Sequence, residues 1–80
     1  MSKLKVLSGK DLIDIFSNFG FHIVDQTGSH IKMRCHKNGN KQTLTIPLHK
    51  ELDKGLLKGI FTQGSIYISE KELHKYFYTE

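Results

Sequence analysis

Apolar residues recur at helical spacing near the start of the chain, alternate through its middle and return to helical spacing towards its end, and these changes of period delimit its elements. Leu12, Ile15, Phe16 and Phe19 fall at i, i+3, i+4 and i+7, Ser8 and Asp11 have the spacing of a capping box, and Gly20 is placed to stop the helix. The spacing predicts a first helix over residues 9–19. From residue 21 to residue 47 the period drops to two, with breaks at Thr27-Gly28-Ser29 and Lys37-Asn38-Gly39-Asn40, which predicts three short strands. Asn38-Gly39 suits a type I′ hairpin turn, whose central positions both need positive φ.

A two-residue turn there pairs Met33 with Leu44 and Ile31 with Ile46, so both pairs are apolar. Reading Thr27 to Ser29 as a three-residue loop pairs Ile23 with Met33 and Phe21 with Cys35, extending the same face. The core side of the sheet is then Phe21, Ile23, Ile31, Met33, Cys35, Leu44 and Ile46. Alternation assigns His22, Val24, Gln26, His30, Lys32, Arg34, His36, Thr43 and Thr45 to the opposite side.

Beyond the strands, Asp53 can cap a second helix running to about residue 63, with Leu56, Leu57, Ile60 and Phe61 as its apolar residues. Gly55 and Gly59 each weaken that helix by about 1 kcal/mol relative to Ala, so packing must offset them. Ser69 with Glu72 forms a further capping-box pattern, Ile68 with Leu73 its staple, and a short third helix then presents Leu73, Tyr76 and Phe77. The expected fold is α+β in the order α-β-β-β-α with an extra short C-terminal helix: a three-stranded antiparallel sheet whose apolar face carries the helices. No repeat, linker or low-complexity segment divides it, so residues 1–80 read as a single domain. The polar face is left for a partner.

Composition agrees with an ordered domain, since 38% of the residues are apolar and 25% charged. Twelve Lys and Arg against eight Asp and Glu leave a net charge of +4, which favours a polyanionic partner and leaves position to decide. The lone Cys35 excludes an internal disulfide and suits a reducing cytosol. The first residues lack the apolar core of a signal peptide, and no apolar run approaches the roughly 20 residues needed to span a membrane. A cytoplasmic protein without a membrane partner is expected.

The strip His30, Lys32, Arg34 and His36 lies on one side of one strand and combines fixed cations with titratable imidazoles, as a phosphate backbone or its cleavage requires. An ordinary solvated strand face has the same pattern. His30 follows Gly28-Ser29 at a hairpin exit, where free backbone amides can hold an anion and the imidazole can move a proton. His36 is no companion for it, because six residues of strand separate the two by about 20 Å. His49 is a better one, since the register sets His30 opposite Pro47. A metal site is not expected: adjacent Cys35 and His36 point to opposite faces, and no pair of ligands has helix or knuckle spacing. Cys35 reads as a small core residue, and Tyr67, Tyr76, Phe77 and Tyr78 as packing or a partner surface.

Ser8-Gly9-Lys10-Asp11-Leu12, Gly20-Phe21, Gly28-Ser29-His30, Thr45-Ile46-Pro47-Leu48-His49 and Lys54-Gly55 with Lys58 and Ile60 resemble, in order and spacing, the HicA toxins of bacterial and archaeal toxin-antitoxin pairs. The resemblance runs from about residue 7 to residue 63. It implies a double-stranded-RNA-binding-like fold, cleavage of mRNA that arrests translation and growth, and neutralisation by a HicB-type antitoxin. It also implies that His30 is required for toxicity, and His49 and Ser29 are then candidates for catalytic support. Lys32, Arg34, Lys58 and Gly28 are the candidates for RNA binding. No metal or cofactor is called for, and the free toxin is expected to be a monomer that forms a hetero-oligomer with its antitoxin. Asp25 stands where the family often has Arg, and Gly59 and Gly64-Ser65 depart from the usual second helix and its end. Two other readings stay open: a double-stranded-RNA-binding module without catalysis, and an interaction subunit whose basic sheet docks an acidic partner.

Overall fold

The computed structural model describes residues 2–79 and orders its elements as α1 Gly9–Ser17, β1 His22–Thr27, β2 His30–Lys37, β3 Asn40–Pro47, α2 Lys54–Gly64 and α3 Glu70–Phe77. Helix α1 begins with the reciprocal capping box: Asp11 N–H donates to Ser8 Oγ at 3.0 Å, and Ser8 N–H donates to Asp11 Oδ2 at 2.9 Å. It stops at Ser17, two residues short of the expected end, because residues 18–20 form a turn that closes on Gly20 at φ +91°.

The three strands form one antiparallel sheet in the order β1-β2-β3. Between β2 and β3 the register is the one that apolar pairing required, with Met33 opposite Leu44 and Ile31 opposite Ile46. Asn38 (φ +53°) and Gly39 (φ +79°) occupy the two positive-φ positions of that turn.

Between β1 and β2 the outcome differs. Thr27 pairs with His30, so the turn is the two residues Gly28-Ser29 and not a three-residue loop. Ile23 still pairs with Met33, because the register shifts between Ile23 and Asp25 and leaves Val24 as a bulge. The extra residue has moved from the turn into the strand. Consequently Asp25 lies opposite Lys32 and Gln26 opposite Ile31, the reverse of the expected alternation for this stretch. Phe21 does not pair with Cys35; it precedes β1 and packs edge-on against Phe16, with ring centroids 5.9 Å apart.

All three helices bury their apolar stripes together with Ile31, Met33, Leu44 and Ile46 in a single core. Phe77 joins α3 to α1 and α2 through T-shaped contacts with Phe16 at 6.1 Å and Phe61 at 5.2 Å. Both α1 and α2 pack against β3, at the far side of the sheet from β1. Ile23 is therefore 52% exposed despite facing the core side, a correction to its expected burial, and Cys35 is only half-buried.

Helix α2 is capped as expected, with Leu56 N–H donating to Asp53 Oδ1 at 2.8 Å; Leu57, Ile60 and Phe61 are buried and Leu56 stays exposed. Helix α3 lacks its expected capping box. Ser69 sits at the N-cap without a side-chain cap bond, and the Glu72 carboxylate instead lies 3.6 Å from Lys75 Nζ. An isolated bridge between Leu4 and Tyr78 joins the two ends of the chain, a pairing that periodicity did not announce.

Candidate nucleic-acid interface

Strand pairing arranges the open face of the sheet in rows. One row is His22, Arg34 and Thr43; the next is Asp25, Lys32 and Thr45; the last, at the turn end, is Thr27, His30 and Pro47. His36 and Lys41 form a further pair beyond Arg34. Arg34 is steadied by its neighbour, its Nε donating to Thr43 Oγ1 at 3.3 Å. His30, Lys32 and His36 are exposed, so the cations and imidazoles meet solvent along the length of β2.

A shallow recess of about 70 Å³ opens among Asp25, Thr27, His30, Lys32 and Thr45. Space for only a few atoms, ringed by an imidazole, an ammonium, a carboxylate and two hydroxyls, suits one group of a larger ligand rather than a whole small molecule. The Gly28-Ser29 turn bounds this end of the sheet. Gly28 is needed there for its backbone, at φ +59°, since a Cβ would meet nothing within 4 Å.

Ser29 and His49 come to the same end of the sheet by backbone contacts. The Ser29 carbonyl accepts from Leu48 N–H at 2.7 Å, and the His49 carbonyl accepts from Gly9 N–H at 2.9 Å. His49 lines a different recess from His30, with Ser8, Lys10, Leu48 and Lys50. Lys58 belongs to neither. It lines a cleft of about 420 Å³ with Ser2, Lys3, Leu4, Lys54 and Tyr78, on the helical side of the domain and apart from Lys32 and Arg34.

Two residues of the recess, Asp25 and Thr27, were not among the candidates for the open face. The signal that could have found them is the alternative of a two-residue Gly28-Ser29 turn, which sets residue 25 against residue 32. Among the described residues, no three of His, Cys, Asp and Glu are grouped to hold a metal ion, and no helix is long and apolar enough to cross a membrane.

A three-stranded sheet whose open face carries a row of cations and imidazoles, with the helices packed on the other side, defines a small α+β domain with one uncovered sheet face. Residues 9–66 match the family described as the HicA toxin of bacterial toxin-antitoxin systems, and the chain belongs to that family. It is thus a toxin of a toxin-antitoxin system, and its family implies an antitoxin partner. No curated protein and no solved structure matched the chain.

Proposed function

We propose that this toxin is a metal-independent endoribonuclease, an mRNA interferase that arrests translation and growth in the cytoplasm, with His30 as its proton-transfer group. The observation that carries the reading is the position of His30, exposed on the open face one row from Lys32 and two from Arg34, in a chain of the HicA toxin family. In the reaction, a ribose 2′-oxygen attacks the adjacent phosphorus, the P–O5′ bond breaks, one proton leaves the 2′-hydroxyl and another reaches the departing 5′-oxygen. His30 handles one of these protons. Lys32 and Arg34 stabilise the charge that builds on the phosphorane oxygens. Gly28 lets the turn approach the backbone of the RNA, and Ser29 and His49, tied to the same end of the sheet, support the site.

The free toxin is read as a monomer, and a HicB-type antitoxin neutralises it in a hetero-oligomer. The test is cleavage of RNA by purified protein freed of metal with a chelator. His30→Ala should lower the rate roughly 100-fold to 10,000-fold while folding and RNA binding persist. A loss below about tenfold contradicts direct proton transfer. His49→Ala separates a lone histidine from a pair. Undiminished cleavage in both variants would overturn the role of His30, and no cleavage by the wild-type protein would leave a non-catalytic double-stranded-RNA-binding module as the better account.

A further inference from the structure

The bulge at Val24 brings onto the open face a residue that strict alternation would have turned away from it. Asp25 stands directly opposite Lys32 and shares a recess with His30, Thr27 and Thr45. Residues paired in this way have Cβ atoms about 4.5–5.5 Å apart, and diagonal neighbours lie at about 7–8 Å, so one carboxylate is near both Lys32 and His30. Its orientation is held from behind, because Gln26 N–H donates to Asp25 Oδ1 at 2.8 Å. Among the described residues the only ion pair joins Glu72 and Lys75, so Asp25 and Lys32 flank the recess without closing it. A phosphate entering there meets an ammonium on one wall and a carboxylate on the other. One row further on, Arg34 is flanked by His22 and Thr43, with no acid beside it.

We infer that Asp25 is a specificity-determining residue of this face: its carboxylate keeps a lone phosphate from settling on Lys32 and restricts the face to polyanions that engage Arg34 as well. The inference rests on the reading of the face as an anion-binding surface and not on cleavage. Attraction to Lys32 and repulsion from Asp25 nearly cancel for a single anion, whereas a chain of phosphates spans to the uncompensated Arg34 row. Removing one charge about 6 Å from a bound phosphate should tighten binding roughly threefold to tenfold, the range for effective dielectric constants between about 80 and about 40.

The experiment measures binding of inorganic phosphate, followed by the backbone amide resonances of residues 30–32, and of inorganic polyphosphate, followed by its dissociation constant. Asp25→Asn keeps the acceptor for Gln26 N–H, so the turn is preserved. The wild-type protein should bind polyphosphate and show no phosphate at residues 30–32; Asp25→Asn should bind both, with polyphosphate roughly threefold to tenfold tighter. Glu70→Gln makes the same charge change on α3 and should leave both constants as they are. In a Lys32→Ala background the gain in phosphate binding at residues 30–32 from Asp25→Asn should vanish. Unchanged or weaker binding in Asp25→Asn, an equal gain in Glu70→Gln, or a gain in phosphate binding at residues 30–32 that survives Lys32→Ala overturns the inference. If the gain appears while the wild-type protein cleaves no RNA, the inference stands and the nuclease reading falls.

Discussion

The amide of Leu48 donates to the carbonyl of Ser29 at 2.7 Å, and this bond fastens the chain leaving β3 to the turn that delivers His30. One residue further on, the His49 carbonyl receives the N–H of Gly9, and Leu52 N–H donates to the Leu7 carbonyl at 2.9 Å. The start of α1, the β1-β2 turn and the segment after β3 are thereby held as one unit at the end of the sheet where His30 lies. Backbone carries this unit, so residues at its closest approaches have little freedom of type.

Gly9 marks the tightest of these approaches, since a Cβ there would collide with the Pro47 carbonyl and lie 2.9 Å from Leu48 Cα. Gly9→Ala should destabilise the protein by about 1–3 kcal/mol through this overpacking. Gly59, exposed in α2 with open space around its missing Cβ, should behave oppositely, with Gly59→Ala stabilising by up to about 1 kcal/mol. Urea denaturation of the two variants decides the matter: midpoints shifted in the same direction would refute the assignment.

The helix starts also predict a contrast. Ser8 makes both halves of a capping box and Ser69 makes no cap bond. Ser8→Ala should cost about 1 kcal/mol, whereas Ser69→Ala should change stability by less than about 0.5 kcal/mol. Equal losses in thermal unfolding would show that the Ser69 hydroxyl caps α3 after all.

Burial on the sheet is equally specific. Ile23 and Met33 are opposite each other, yet Met33 is fully buried and Ile23 half-exposed. Met33→Ala should cost about 2–5 kcal/mol and Ile23→Thr under about 1 kcal/mol. A large loss from Ile23→Thr in chemical denaturation would mean that a helix covers β1.

For RNA, replacing Lys32 and Arg34 together with Ala should flatten the dependence of log affinity on log salt by at most about two units, one for each lost phosphate contact. Lys58 lies in another cleft, so Lys58→Ala should add its effect to that of the double variant without coupling to it. Strong non-additivity in the triple variant would place Lys58 in the Lys32 site.

Where one interaction set the local structure, the sequence alone determined it. The Ser8-Asp11 box, the Asp53 cap and the Asn38-Gly39 turn each depend on residues within four positions of one another, and the turn carried the β2-β3 register with it. The resemblance to the HicA toxins, spread over motifs from residue 7 to residue 63, likewise needed only order and spacing. Tertiary structure decided the rest. Apolar pairing of Ile23 with Met33 is satisfied equally by a three-residue loop and by a two-residue turn with a bulge, so periodicity could not tell which residue of β1 is the extra one. That choice put Asp25 and Thr27 beside His30. Nor could a stripe on α2 reveal that the helices lie towards β3, which leaves Ile23 uncovered and carries Lys58 away from Lys32, because the placement of a helix over a sheet is fixed by how the whole core packs.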